Sequence, residues 1–200
     1  MNILLLYGFH REENEFGKIV VEPFFKRETY SVYEMKNSVS NSDISDIKAC
    51  NEINELVKEL LPDCVIDIHH SEGYINNRID RKTTERLMKK DNSFIDIYLW
   101  SFPLMYFFEN PDSDPNLLEF IKKKELGVHF YEFFPNNHIV PTTRTASILS
   151  IPYIGLEANI NVKESSLVKD SFFDEALATS RKFIDEIDNY YKAKNVLNNL

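Results

Sequence analysis

The chain has 200 residues, 43% hydrophobic and 28% charged, which supplies a buried core and excludes compositional disorder. A net charge of -9 at pH 7, with no Lys/Arg block, argues against a nucleic-acid partner and leaves room only for a local basic pocket. Two cysteines, Cys50 and Cys64, with no CxxC pair, exclude a disulfide scaffold and suit reduced thiols in a cytoplasmic protein.

The first residues carry no basic segment or small-residue cleavage site, so they read as a strand over 3–7 rather than a signal peptide. That run is wholly apolar and stops at Gly8, as a fully buried central strand does. Residues 13–25 predict a helix with Phe16, Ile19, Val20 and Phe24 on one face. Alternation over 29–34 predicts a strand. A longer helix follows over 42–61, with Ile44, Ile47, Ile53, Leu56, Val57 and Leu60 as its apolar positions and Pro62 just past its end.

A second buried strand is expected over 64–68, running directly into His69 and His70. Residues 74–92 read as a polar loop with a short helix near 82–90. The stretch 94–106 suits a strand broken at Pro103. With Asp96 and Ser101 in it, the apolar region 94–108 is too short and too polar to span a bilayer, so no membrane partner is expected. A short helix over 116–124, a strand over 128–133, a turn over 135–138 and a third core strand over 153–157 follow. A long amphipathic helix over 170–195 closes the chain, with Phe172, Ala176, Ala178, Phe183, Ile184 and Ile187 on its apolar side. The alternation predicts one α/β domain over residues 1–200, a three-layer sandwich around a central mixed, largely parallel sheet. Such sheets place ligands beyond the carboxyl ends of their central strands.

Three groups of polar residues occupy those strand ends. His10 and Glu13 form an H-x-x-E spacing after the first strand, able to aim an imidazole and a carboxylate at one point. Asp67 and His69 lie two apart on the second, so they share a face, and Asp67 can orient a histidine from behind. His70 points to the opposite face and reads as structural. Glu157 closes the third strand. His10, Glu13 and His69 make a three-ligand zinc site with one open position, and Glu157 can act as general base on the metal's water.

In this order and strand context the residues resemble the zinc carboxypeptidase A-like superfamily, in particular its succinylglutamate desuccinylase/aspartoacylase branch. The resemblance rests on His10/Glu13, Asp67-Ile68-His69 and Glu157. It implies a zinc carboxypeptidase/phosphorylase-hydrolase-like fold, one Zn2+ per chain, and hydrolysis of an amide or peptide bond in a carboxylate-bearing small molecule or peptide. Arg11, the Ala158-Asn159 continuation and the absence of an Asn-Arg pair between Glu13 and His69 depart from that branch. The Asn77-Arg78 pair comes after His69 instead. With one helix expected after Glu157, the further β-rich domain of aspartoacylases is not expected in these 200 residues. Arg144, Arg78 and Arg81 are candidate carboxylate clamps, with Arg144 favoured for its place between His138 and Glu157. Tyr131 and His138 are candidates for late proton donors or substrate contacts. The alternatives are a non-catalytic metal-binding relative acting as a binding module, and an α/β domain without metal.

Overall fold

The structure is a computed structural model, and its described residues are 1–9, 14–37, 43–71, 104–108, 111–126, 128–130, 150–160 and 173–198. The elements run β1 (Ile3–Tyr7), α1 (Asn14–Val21), a 3-10 turn (Glu22–Phe24), β2 (Tyr30–Glu34), α2 (Asp43–Leu60), β3 (Cys64–Ser71), β4 (Leu104–Phe108) and a second 3-10 turn (Pro111–Ser113). After these come α3 (Pro115–Lys124), β5 (Val128–Phe130), β6 (Tyr153–Asn159) and α4 (Phe173–Asn198). The expected helix near 82–90 and the turn at 135–138 lie outside the described residues.

Among the described residues six strands form one sheet in the order β2-β1-β3-β6-β4-β5. The first four are mutually parallel, and β4 turns antiparallel to β6 with β5 parallel to β4. The sheet is therefore mixed and largely parallel, as expected. Every residue of β1 is buried, because this strand lies between β2 and β3 and is covered on both faces.

Pleat alternation divides the core in two. Ile3, Leu5, Tyr7, Cys64, Ile66, Ile68, Ile154 and Leu156 face α1, α3 and α4. Leu4, Leu6, Val65 and Tyr153 face α2, where Ala49, Ile53, Leu56 and Val57 meet them. Helices thus cover both sides, giving the three-layer α/β sandwich. Among the described residues no helix is long and apolar enough to cross a membrane.

Several local readings need correction. The first helix stops at Val21 and tightens into the 3-10 turn, where Pro23 removes a backbone donor that a continuing α-helix would need. Ile47 is 51% exposed and Ala178 is exposed, so neither belongs to its helix's buried face. Of the stretch expected to hold a broken strand over 94–106, residues 104–106 belong to β4, and 94–103 lie outside the described residues. The strand expected to end at Ile68 runs on to Ser71, which makes His69 and His70 strand residues with directions set by the pleat.

Glu52 fastens α2 to the end of β2. Its carboxylate accepts from Lys36 N at 2.8 Å, Asn37 N at 2.9 Å, Asn37 Nδ2 at 2.7 Å and Tyr33 Oη at 3.0 Å. At the opposite end of the sheet, Asp114 caps α3 through Leu117 N at 3.1 Å and also binds Tyr190 Oη and Lys194 Nζ of α4.

Candidate functional site

β1, β3 and β6 are parallel neighbours, so their carboxyl ends lie along one edge of the sheet. The β3–β6 register sets Val65 beside Tyr153, Asp67 beside Gly155, and His69 beside Glu157. Residues matched across parallel strands leave the same face. Asp67, His69 and Glu157 therefore share the α2 side, continuing past the apolar contacts of Val65 and Tyr153 toward the strand ends.

Asp67 is fully buried at the centre of the sheet, a costly place for a carboxylate unless donors meet it. Two groups converge on its Oδ2: the Tyr153 hydroxyl donates at 2.8 Å and His69 Nε2 lies at 2.9 Å. Its Oδ1 has no hydrogen-bond partner among the described residues. Gly155, in register with Asp67 and two residues on from Tyr153, contributes no side chain to that face.

His69 Nε2 is turned onto Asp67, which sets the orientation of the imidazole. Phe9 packs its ring at 79° to the imidazole with centroids 5.4 Å apart. His69 is thus held in its ring plane by a carboxylate and across it by an aromatic edge. Glu157, half-buried, is its neighbour on β6. His70 leaves the opposite face and meets Phe16 of α1 at 6.2 Å.

Phe9 reaches this position because the chain turns at Gly8, whose φ is +83°. A Cβ there would fall 2.4 Å from Asn14 Oδ1, and L side chains disfavour that backbone conformation. The turn is tied down from both sides by Glu34 at the end of β2. Its Oε2 accepts from Tyr7 Oη at 3.1 Å and its Oε1 from Asn14 Nδ2 at 3.3 Å. Burial, with the Glu34 hydrogen bond and charge, pushes the Tyr7 hydroxyl up to about 12.

Of the residues singled out in the sequence, the structure brings together Asp67, His69 and Glu157. His10, Glu13, Arg78, Arg81, Tyr131, His138 and Arg144 lie outside the described residues. Among the described residues no group of three His, Cys, Asp or Glu side chains is arranged to hold a metal ion. Sequence reasoning missed Tyr153 and Phe9. The available signal was spacing: Tyr153, Gly155 and Glu157 alternate along one strand face, as do Val65, Asp67 and His69.

No protein-family profile matches the chain, and no curated protein matches it in sequence. Among solved structures, a metallo-carboxypeptidase from Burkholderia cenocepacia superposes with a TM-score of 0.52 at 8% identity, covering 96% of this chain and 57% of that one. The chain thus spans 57% of the length of that carboxypeptidase. PbaA of Pyrococcus furiosus, an archaeal homolog of proteasome-assembly chaperone, gives 0.49 at 10% identity over 94% of this chain and 80% of that one. The Campylobacter jejuni 5'-methylthioadenosine/S-adenosyl homocysteine nucleosidase gives 0.44 at 6% identity, with coverage of 94% and 98%. At these identities similarity speaks to fold alone, and of these three the carboxypeptidase exceeds a TM-score of 0.5. The chain is an α/β sandwich of a shape that a metallo-carboxypeptidase also adopts.

Proposed function

We propose that the protein is a zinc-dependent hydrolase of an amide or peptide bond, of carboxypeptidase or N-acyl amino acid deacylase type. It would work as one cytoplasmic domain over residues 1–200. The observation that carries this reading is the matched pair His69 and Glu157 at the carboxyl edge, with buried Asp67 behind the imidazole. Fold similarity to a metallo-carboxypeptidase supports it.

The donor chemistry fits zinc. A metal-binding histidine ordinarily gives one ring nitrogen to a carboxylate, and here His69 Nε2 lies 2.9 Å from Asp67 Oδ2. The other two ligands in this reading are His10 and Glu13. His10 is covalently joined to Phe9, whose ring already packs on His69. When bound, zinc supplies Lewis acidity toward a carbonyl and lowers the pKa of coordinated water to about 7.

The chain's own residues do the rest. Asp67 holds the His69 ring in one tautomer. Glu157 takes a proton from the attacking water and returns it to the leaving nitrogen. Arg144 and Arg78 bind the substrate carboxylate. The substrate is a small molecule or peptide carrying that carboxylate.

Glu157→Gln tests the assignment. The expected variant keeps its metal content and loses about 10²–10⁴-fold in turnover on N-acyl amino acids and peptides. Full activity in that variant contradicts it. The second reading, a metal-binding module without catalysis, draws on Arg11 and the missing Asn-Arg pair. It predicts a metal-loaded wild type that hydrolyses neither substrate class.

A further inference from the structure

We propose that Tyr153 is a positioning residue for His69, acting through Asp67. Tyr153 is fully buried, and so is the carboxylate it meets. Its hydroxyl donates to the same oxygen, Asp67 Oδ2, that lies 2.9 Å from His69 Nε2. One atom therefore receives both groups, one from β6 and one from β3.

This shared acceptor fixes more than a single contact does. A carboxylate on a short side chain can rotate about its last bond and offer either oxygen. The Tyr153 hydroxyl removes that freedom by holding Oδ2 in place, because the Tyr153 ring is itself packed against the α2 core with Leu4, Leu6 and Val65. Oδ2 in turn selects the His69 tautomer that carries its proton on Nε2, and sets the ring orientation. Phe9, edge to face with the imidazole, limits rotation the other way.

The consequence for metal affinity rests on the zinc reading above; the consequence for the imidazole does not. The test is 15N NMR of the His69 ring nitrogens in metal-free protein at alkaline pH, together with zinc affinity by chelator competition. Wild type is expected to show a single tautomer protonated on Nε2. Tyr153→Phe keeps the ring but removes the donor. It is expected to give a tautomer mixture and about 10–100-fold weaker zinc binding. Tyr191→Phe is the control. It removes a hydroxyl bound to the Asp63 carbonyl at 3.1 Å and should leave the His69 nitrogens unmoved.

An unchanged tautomer in Tyr153→Phe overturns the proposal whatever the metal does. If wild type takes up no zinc while the tautomer still shifts, the metal reading fails and the positioning role stands. Should Tyr153→Phe not fold, wild type itself decides. A slowly exchanging Tyr153 hydroxyl proton with a nuclear Overhauser contact to the His69 Nε2 proton supports the relay, and its absence overturns it.

Discussion

His69 and Glu157 stand side by side in register on adjacent parallel strands, so an imidazole and a carboxylate leave one face of the sheet about 4.8 Å apart at the backbone. Neither depends on a loop for its direction. Both lie on strands inside the sheet, and β3 has a paired neighbour on each side. A site built on such elements holds its groups more closely than one built on loops.

That placement makes the reach of Glu157 testable. Glu157→Asp keeps the charge and withdraws the carboxylate by one methylene, roughly 1.5 Å. The expected result is a turnover loss of about 10²-fold with zinc content unchanged, since displacements of about 1 Å carry penalties of that size. Steady-state kinetics beside metal analysis checks it, and an undiminished rate would show that Glu157 does not handle the proton.

Gly17 allows α1 to rest directly on β1. A Cβ at this position would lie 2.5 Å from Tyr7 Cβ, an atom next to the backbone that cannot swing away. Gly17→Ala is therefore expected to lose about 1–3 kcal/mol through overpacking, although alanine is the better helix former. Equilibrium urea denaturation measures it. A stabilised variant would mean that the helix shifts without cost.

Glu52 gives the protein an acid-side dependence. Burial alone would raise its carboxyl, but the Lys36 N–H, the Asn37 amide and N–H and the Tyr33 hydroxyl outweigh burial and hold it below the ordinary 4.5. Because the folded value is depressed, its contribution is present above 4.5 and fades as pH falls through the folded value. Glu52→Gln is expected to lower stability by about 1–2 kcal/mol at neutral pH. The gap to wild type should close in acid, as melts across that range would show.

The alkaline side has the opposite sign. The Tyr7 hydroxyl is raised from 10.0 to about 12, so between those values the unfolded chain gives up a proton that the folded chain keeps. Stability contributed by this group is complete below pH 10 and falls as pH rises toward 12. Tyr30, Tyr106, Tyr190 and Tyr191 are raised as well, first of all by burial. Tyr7→Phe should therefore reduce the slope of stability against pH in this window without abolishing it. An identical slope would contradict the burial and Glu34 contacts assigned to Tyr7.

How much of this could be read in the sequence follows from what each signal depends on. β1, β3 and β6 announce themselves because strands buried on both faces become continuous apolar runs. The common direction of Asp67 and His69 follows from the two-residue period alone. The extension of β3 to Ser71 does not, because polar residues at a strand end look like the loop that follows. Nor does the pairing of His69 with Glu157, which is a tertiary register between segments 88 residues apart in number, from 69 to 157. Phe9 and Tyr153 resemble any other core aromatic until their neighbours are known. Ile47 shows the reverse failure: it has the right helical spacing, but the sheet does not reach it.

In the proposed function His69, together with His10 and Glu13, holds a divalent ion in front of Glu157. Zinc stoichiometry by elemental analysis, on protein purified without chelator and on its His69→Ala and His10→Ala variants, tests it most directly. The expected result is about one zinc per chain in wild type and its loss in both variants, each with an unchanged fold by circular dichroism. A wild type that takes up no zinc, or variants that retain it, would rule out this metal site.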